Sequence, residues 1–381
     1  MVADKILMHE MEEDDAAPIH GDLLEVILSH VPLIDLVLAR RVSKSWNDAV
    51  VSSLSNFKKA KPWLLVHVQK IMSSCGTTTH AYDARSQLWV KITQPSIKHA
   101  SDLQSSNGDL LYILSPTKLS FSVDPLHATW QDVSAPRVWR VDPIVALVGS
   151  RIVVAGGASE FEDDPLVVET YDVERREWTT CQSMPAILKD AAAPTWLSVA
   201  ANEEKMFVTE KTSGITYSFS PDSRNWQGPF DLRPNPQVFF LTVGFSGDDM
   251  ILAGLVGHAQ DVMAVRLWKV DPETMGLKLI GEMPTEFVQK LKDENSNLSS
   301  ISLSSTKDFV YVYNSSEAEE IVLCEFADNG ACRWESVRNP AWRDACKVTE
   351  RMVFSCGKVE IEDLERAMRS ANRKFSLKCC S

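Results

Sequence analysis

The chain has 381 residues, 44% of them hydrophobic and 24% charged, and its formal net charge is −13. This length and apolar content suffice for one large core or two smaller ones. The acidic balance argues against general binding to nucleic acid, which requires a basic surface. No apolar run approaches the ~20 residues that cross a bilayer, so a membrane partner is not expected either.

Residues 1–16 contain the charge run EMEEDD at positions 10–15 and are predicted to form a disordered acidic tail. A signal peptide would be basic and then apolar at this point, so secretion is not expected. The eight cysteines form no CxxC pair and are scattered through the chain. We therefore expect reduced thiols and a location in the cytosol or the nucleus.

Residues 17–57 are predicted to form three short helices. The apolar positions recur at helical spacing, and Pro32 should end the first helix. These positions are Leu23, Leu24, Ile27, Leu28 and Val31 in the first helix, Leu33, Leu36 and Val37 in the second, and Val42, Trp46 and Val50 in the third. About 40 residues cannot enclose so many large apolar side chains. The surplus either packs on the region that follows or forms a surface for the helices of a partner.

The segments DLLEVILSHVP (22–32) and LARRVSKSW (38–46) resemble the two halves of an F-box, and the resemblance covers residues 19–57. It implies docking on the Skp-type adaptor of an SCF (Skp–cullin–F-box) ubiquitin ligase, and through that adaptor on the cullin. One departure is Ile19-His20, which stands where the family has Leu-Pro and would loosen the start of the first helix. On the resemblance, Leu28 and Val50 are assigned to the core, and adaptor contact is assigned to Leu23, Leu24, Ile27, Pro32, Leu36, Val42 and Trp46.

A short basic linker at 58–62 leads into a repeating region at 63–357. Its clearest unit, residues 152–178, has an apolar run, paired glycines, a Tyr-Asp pair and a Trp six residues after the Asp. The residue before the Asp position recurs at 82, 123, 171, 219, 270 and 326, at intervals of 41, 48, 48, 51 and 56. A period near 50 is typical of one propeller blade. The continuous apolar run is predicted to be the first, inner strand of each unit.

This pattern resembles kelch repeats. The two resemblances together imply a mainly β protein, a six-bladed kelch-type β-propeller preceded by a small three-helix F-box module, of a type abundant in plants. The ring should be closed by a strand from the C-terminal side, at 344–348 or 352–356. A partial seventh blade is the alternative.

Three further segments lie outside the repeat. Residues 284–297 are predicted to contain a short helix with Thr285 as its N-cap. Residues 358–381 are predicted to form a helix and tail, with Ile361, Leu364, Met368 and Ala371 on the buried stripe. The acidic loop at 159–166 is either a solvated loop or a recognition loop for a basic partner surface. Its candidate target-binding residues are Glu160, Phe161, Glu162, Asp163 and Asp164.

No motif indicates catalysis. The chain has no HxH, HExxH, GxGxxG or GxSxG pattern. Asp83, Asp124, Asp172 and Asp271 each precede a hairpin turn, which is typical of turn-forming residues. We therefore predict no catalytic residue, no cofactor and no metal.

Two functions remain open from the sequence. The first is a non-catalytic substrate receptor of an SCF-type ubiquitin ligase, whose propeller binds a target protein of unknown identity. The second is a propeller scaffold for protein interaction, whose helical module packs internally and recruits no ligase.

Overall fold

The structure is a computed structural model that describes residues 21–56, 61–70, 78–93, 103–106, 108, 110–158, 164, 166–191, 195–306, 308–327, 330–344, 350–370 and 373–378. These residues fall into two compact units, a helical unit that ends at residue 56 and a β unit that begins at residue 61. The predicted acidic tail at 1–16 and the Ile19-His20 pair lie outside the described residues.

The helical unit has the three helices that the sequence predicted, Asp22–Ser29 (α1), Leu33–Ala39 (α2) and Lys44–Asn56 (α3). Pro32 separates the first two, because its ring cannot continue α1. Its carbonyl oxygen accepts hydrogen bonds from the amides of Asp35 at 3.0 Å and Leu36 at 3.2 Å, which begin α2. Ser43 caps α3, since its hydroxyl oxygen accepts a hydrogen bond from the amide of Trp46 at 3.2 Å.

The β unit contains 25 strands in its described residues. The first twelve are Trp63–Lys70 (β1), Thr78–Asp83 (β2), Leu88–Thr93 (β3), Leu103–Ser105 (β4), Leu111–Leu114 (β5), Lys118–Ser122 (β6), Gln131–Ser134 (β7), Ile144–Val148 (β8), Arg151–Ala155 (β9), Val168–Asp172 (β10), Glu177–Cys181 (β11) and Leu197–Ala201 (β12). The rest are Met206–Glu210 (β13), Ile215–Ser220 (β14), Asn225–Asp231 (β15), Val238–Ser246 (β16), Asp249–His258 (β17), Asp261–Val270 (β18), Leu277–Glu282 (β19), Ile301–Thr306 (β20), Phe309–Asn314 (β21), Glu320–Phe326 (β22), Cys332–Arg338 (β23), Glu350–Gly357 (β24) and Lys374–Lys378 (β25).

These strands form six antiparallel sheets, the blades of a propeller, and this confirms the predicted six-bladed fold. Blades two to six are consecutive meanders, β4–β7, β8–β11, β12–β15, β16–β19 and β20–β23. Blade one has the order β24-β1-β2-β3-β25 and so combines both ends of the β unit. The first strand of each blade lies on the central channel, where β24 contacts β20 on one side and β4 on the other.

Blade one closes the ring. β24 pairs with β1 over eight residues, from Trp63 opposite Gly357 to Lys70 opposite Glu350. The predicted closing strand at 352–356 therefore lies within β24, whereas Asp344 ends a short helix, Pro340–Asp344 (α5), and 345–348 lie outside the described residues. The described residues contain no seventh sheet.

The position of the apolar runs within the blades differs from the prediction. They form β1, β5, β9, β13, β17 and β21, which are the second strands counted from the channel. Some innermost strands are shorter or richer in hydroxyl residues, as in LQS at β4 and ISLSST at β20, whereas β8 (IVALV) is continuously apolar. One face of an innermost strand lines the channel, so the second strand is the one that is covered on both faces in every blade.

The repeated aromatic pair holds the outer strands together. Tyr82 lies directly opposite Trp89 in the sheet, and Tyr171 lies opposite Trp178, with ring centroids 5.2 and 5.3 Å apart. The Trp178 indole N–H also donates to the carbonyl of Ser134 in the preceding blade at 2.9 Å. The pair therefore packs within one blade and binds that blade to its neighbour.

In the four repeats that have Asp at this position, the Asp forms the turn, as predicted. Asp172 accepts hydrogen bonds from the amides of Glu174 at 3.1 Å and Arg175 at 2.8 Å. Asp83, Asp124 and Asp271 bind turn amides or hydroxyls in the same way. These carboxylates therefore have a structural role.

The second of the paired glycines has a packing reason. Gly157 has φ +88°, and a Cβ at this position would lie 2.5 Å from the carbonyl oxygen of Val141. Val141 and Ala158 exchange two backbone hydrogen bonds across this approach. Only glycine fits both the backbone angle and the space.

Two of the three segments outside the repeat, residues 284–297 and 358–381, contain helices that bury apolar side chains. Thr285–Leu291 (α4) joins blades five and six and buries Val288 and Leu291. The residue before the helix is Pro284, and no side chain caps the helix, so the prediction of Thr285 as N-cap was wrong. Ile361–Arg369 (α6) buries Ile361, Leu364 and Ala367, while the predicted Met368 is only half-buried and Ala371 lies outside the described residues.

The predicted tail after α6 contains a strand. β25 pairs with β3 from Lys374 opposite Thr93 to Lys378 opposite Trp89. Just before it, the Arg373 guanidinium donates hydrogen bonds to the backbone carbonyls of Leu126 and His127, the first at 3.0 Å. The C-terminal segment thus adds the outermost strand to blade one and is hydrogen-bonded to blade two through Arg373.

The interface between blades one and two has a small apolar cluster of Leu103, Leu111, Ile113 and Val353, and it adds a buried polar contact. Large apolar clusters fill the other five interfaces. Here the rings of His67 and His127 lie 5.3 Å apart, and both Nε2 atoms contact the hydroxyl of Ser355, at 3.1 and 3.0 Å. One hydroxyl can donate to one neutral imidazole and accept from the other. Two protonated rings would leave its hydrogen without an acceptor.

The burial of these histidines generates a pH prediction. Burial lowers the pKa of His127 to about 4, with Arg373 adding to the decrease and Asp124 opposing it, and burial also lowers the pKa of His67. The unfolded chain protonates its histidines near pH 6.5, so stability should fall as pH decreases from about 6.5 towards 4, by about 3 kcal/mol for His127. His127→Asn, which tolerates the local φ of 49°, should make this decrease shallower when melting temperature is measured against pH.

The matched control is His258→Asn, at the exposed end of β17, which should leave the slope as it is in the wild type. If the melting temperature of His127→Asn fell with decreasing pH as steeply as that of the wild type, burial of His127 would not be a source of the pH dependence.

Ring closure generates a second prediction. A chain that ends at residue 349 lacks β24, so it should aggregate or melt without a cooperative transition, because β1 becomes an open edge. A chain that ends at residue 357 keeps all six sheets and loses α6 and β25. It should melt cooperatively, several degrees below the wild type. Calorimetry of the two truncations measures the difference, and identical melting of both would contradict the closure role of β24.

Candidate functional site

Exposed apolar side chains concentrate on the helical unit. Of the thirteen large apolar residues that are exposed in the described part of the chain, six belong to residues 22–56. They are Leu23, Val26, Ile27, Leu38, Val42 and Val51. Three of them, at positions 23, 26 and 27, share one face of α1, since residues three and four apart are neighbours on a helix. Exposed apolar groups at this density mark an interaction surface.

The residues to which adaptor contact was assigned divide into two groups. Leu23, Ile27 and Val42 are exposed, at 60, 43 and 62% of their surface, and Pro32 and Trp46 are half-buried. Leu24 and Leu36 are 3 and 0% exposed, so the structure places them in the interior and we assign them to the core. Leu28 and Val50 are buried, in agreement with their core assignment.

The two groups follow from the period of α1. Leu24 and Leu28 are four residues apart and form the inner stripe, and Leu23 and Ile27 form the outer one. Ser52 on α3 donates a hydrogen bond to the carboxylate of Glu25 at 2.8 Å, which holds α1 against α3. The outer stripe, Leu23 and Ile27, therefore lies on a helix whose position is fixed by its packing and by this hydrogen bond.

The described residues that line the two openings of the propeller channel differ in charge. One has a cavity of about 490 Å³ lined by the beginnings of the innermost strands, and it includes Lys211, Arg351 and Asp142. The other has a cavity of about 620 Å³ lined by the ends of these strands, and it includes Glu203, Glu204, Asp248 and Glu273 but no described Lys or Arg. We name them the basic opening and the acidic opening.

In the basic opening, Asp142 accepts a hydrogen bond from a neighbouring side chain, and burial lowers the pKa of Lys211. The Tyr112 hydroxyl donates to Gln104 at 2.8 Å, and the Gln104 amide donates to Asp142 at 3.3 Å. Burial lowers the pKa of Lys211 to about 8, and its ammonium donates to the Thr195 carbonyl at 3.1 Å. Burial raises the pKa of the Tyr112 hydroxyl, and the positive charge of Arg351 opposes the rise. Arg351 is therefore close enough to Tyr112 to act on it.

Exposed apolar side chains surround the same end of the propeller. Trp196 is 54% exposed, and its backbone carbonyl accepts a hydrogen bond from the amide of Lys211 at 2.9 Å. Val141 precedes β8, Ile187 precedes β12, and Met263 follows the turn between β17 and β18, so all three lie at the end where the innermost strands begin. These four are among the seven exposed large apolar residues in the described β unit.

Of the predicted target-binding loop, only part is described. Glu160, Phe161, Glu162 and Asp163 lie outside the described residues. Asp164 is exposed and accepts a hydrogen bond from the amide of Leu166 at 3.0 Å, so it forms a turn. Its role in target binding stays a prediction.

Sequence reasoning missed Trp196, Lys211, Arg351 and Tyr112. None of them occupies a position of the repeated Tyr-Asp-x5-Trp frame, and they come from three different blades. One signal was present, since Trp196 is a tryptophan outside the frame and next to an innermost strand.

The described residues contain no group of three or more His, Cys, Asp or Glu side chains placed to hold a metal ion. No helix among them has the length and apolar character needed to span a membrane. The four described cysteines, Cys181, Cys324, Cys332 and Cys356, are free thiols.

Comparison with known proteins matches both units. Residues 21–58 match the F-box domain model, and residues 139–185 match the Kelch motif model. The chain is 41% identical over 372 residues to an F-box/kelch-repeat protein of Arabidopsis thaliana, and the match covers 94% of each chain. It is 26% identical over 239 residues to a putative F-box/kelch-repeat protein of the same plant, covering 56% of this chain and 59% of that one. With both motifs present and a relative matched along almost its whole length, the chain belongs to the F-box/kelch-repeat protein family.

Proposed function

We propose that this protein is a substrate receptor of an SCF-type ubiquitin ligase. The observation that carries the proposal is the exposed apolar stripe on α1, Leu23 and Ile27, within a matched F-box domain. An amphipathic helix with an uncovered apolar face fits into a groove between the helices of a partner. That partner is a Skp-type adaptor, which connects the chain to the cullin.

The propeller binds the target protein in this proposal. Its frame residues are used in packing and turns, so the blades form a rigid support for the loops and openings that make contact. The chain performs no covalent chemistry itself and takes neither a metal nor a cofactor. It raises the concentration of the target near the ubiquitin-charged enzyme. The free thiols in strands favour action in the cytosol or the nucleus.

Substitution of the outer stripe tests adaptor binding. Leu23→Asp combined with Ile27→Asp places two charges where apolar contact is expected, and it leaves Leu24 and Leu28 in the core. Burying one such side chain contributes about 1.5–3 kcal/mol. The Kd for a purified Skp-type adaptor should therefore rise at least tenfold, as measured by isothermal titration calorimetry.

Two variants serve as controls. Leu279→Asp alters a residue on β19 whose exposed fraction, 54%, is similar to the 60% of Leu23, and it should leave the Kd unchanged. Leu24→Ala creates a cavity in the core and should lower the free energy of unfolding by about 2–5 kcal/mol. Equal adaptor binding by wild type and the Leu23/Ile27 variant, or none by either, would contradict the ligase proposal and favour the scaffold.

A further inference from the structure

We propose that Ser43 is a phosphorylation site and that its phosphate weakens docking on the Skp-type adaptor. Ser43 lies in the connection between α2 and α3, directly after a pair of arginines and Val42. The enzyme that fits this site is a serine kinase that selects basic residues before the serine. The inference deepens the proposed function and rests on it only for the identity of the partner that is released.

The sequence before Ser43 has the charge pattern that such a kinase selects. Residues 40–43 read Arg-Arg-Val-Ser, and the pattern Arg-Arg-x-Ser occurs once in the chain. The other adjacent arginine pair, Arg175-Arg176, has Trp178 at the position of the serine. Kinases distinguish their substrates by charge patterns of this kind. On a chain with a net charge of −13, the arginine pair therefore marks one serine for a kinase with an acidic substrate groove.

The structure places this segment where a kinase can reach it. Residues 40–43 belong to neither helix, and both Arg41 and Ser43 are exposed. Arg40 is half-buried, and its Nε donates a hydrogen bond to the Asn47 side chain at 2.9 Å. A kinase would thus meet Arg41 first and exchange the contacts of Arg40 as it binds. A short connection at the surface opens locally at low cost, so the rest of the helical unit need not unfold.

Phosphorylation of Ser43 needs ATP and the kinase as co-reactants. The Ser43 Oγ attacks the γ-phosphorus of ATP, the bond from that phosphorus to the β,γ-bridging oxygen breaks, and ADP leaves. The hydroxyl proton passes to the catalytic carboxylate of the kinase and then to water. The product is a phosphate ester with a charge of about −1.5 to −2 near pH 7. Hydrolysis by a phosphatase restores the hydroxyl and releases inorganic phosphate, so the change is reversible.

The phosphate would lie within the surface that is proposed to dock on the adaptor. Val42, directly before Ser43, is 62% exposed, and the amide of Trp46 donates a hydrogen bond to the Ser43 hydroxyl oxygen at 3.2 Å. Adaptor contact is assigned to both Val42 and Trp46. A partner that covers them would have to remove water from the phosphate, and this cost disrupts an apolar interface. Phosphorylation should therefore release the adaptor.

The same phosphate is compatible with the fold of the helical unit. Ser43 is the N-cap of α3, where the unpaired backbone N–H groups and the helix dipole favour negative charge. The side chain is exposed, so the phosphate needs no space in the core. Loss of adaptor binding would then come from the changed surface and not from unfolding.

The first test is phosphorylation of the folded full-length protein by the catalytic subunit of cyclic-AMP-dependent protein kinase with ATP. Mass spectrometry should find phosphate on Ser43. Arg41→Gln should lower kcat/KM for this site at least tenfold, whereas Arg176→Gln, a matched change in the other arginine pair, should leave it unchanged. Ser45→Ala should also leave it unchanged, although the Ser45 hydroxyl lies only 2.9 Å from that of Ser43. Absence of phosphate on Ser43, or an equal decrease in Arg41→Gln and Arg176→Gln, overturns the inference.

The second test uses full-length protein with phosphoserine incorporated genetically at position 43. The Kd for a purified Skp-type adaptor should rise at least tenfold in isothermal titration calorimetry, while the melting temperature does not fall. The matched control has phosphoserine at position 223, where Ser223 occupies the exposed turn between β14 and β15. It adds the same charge and should leave the Kd unchanged.

Three results of the second test overturn this inference alone. They are an unchanged Kd with phosphoserine at position 43, an equal rise in the control, and a loss of binding accompanied by a fall in melting temperature. A failure of the unmodified chain to bind the adaptor overturns the ligase proposal as well. The two failures are therefore distinguishable, because adaptor binding by the unmodified chain is measured in the same experiment.

Discussion

Pairing between the two ends of the β unit is the interaction on which the rest of the structure depends. β24 and β1 are separated by five complete blades in the sequence, yet they lie side by side in blade one. An open array of repeats can unfold from its ends, because each repeat contacts only its neighbours. A closed ring has no ends, so the blades gain or lose their packing together. The Tyr311 hydroxyl, which donates to the Pro62 carbonyl at 2.7 Å, fixes the start of β1 to blade six.

Closure also explains why one blade interface combines a small apolar cluster with polar contacts. Five interfaces join blades that are consecutive meanders or lie next to the start of β1, and apolar clusters fill them. The sixth lies between the composite blade one and blade two. It has only the small cluster of Leu103, Leu111, Ile113 and Val353 among the described residues, and hydrogen bonds of His67, His127, Ser355 and Arg373 add to it. Hydrogen bonds have specific directions, so they can define a single placement of blade one against blade two. Chain continuity alone does not define it, because blade one is built from both ends of the β unit. The closure therefore combines an eight-residue ladder with a directional polar contact.

The sequence predicted those features that repeat and missed those that ring geometry creates. The Tyr171, Asp172 and Trp178 frame was visible because each member has the same local role in successive blades. The innermost strands were not visible, since one face meets the channel and their composition varies. Lys211 and Arg351 come together only when blades four and one complete the ring. In the helical unit, resemblance identified the module, but the burial of Leu24 beside the exposed Leu23 needed coordinates.

The frame also limits where recognition residues can lie. The aromatic pairs, the turn carboxylates and Gly157 are all engaged, so substituting them for a new target would cost the fold its packing. Exposed residues in the connections between blades, such as Trp196 and Ile187, are not part of this packing. The backbone hydrogen bond from Lys211 to Trp196 involves neither side chain, so any residue but proline at position 211 permits it. Such positions can change while the ring and the helical unit stay as they are. In the substrate receptor that we propose, this separation would let target specificity vary independently of the adaptor contact.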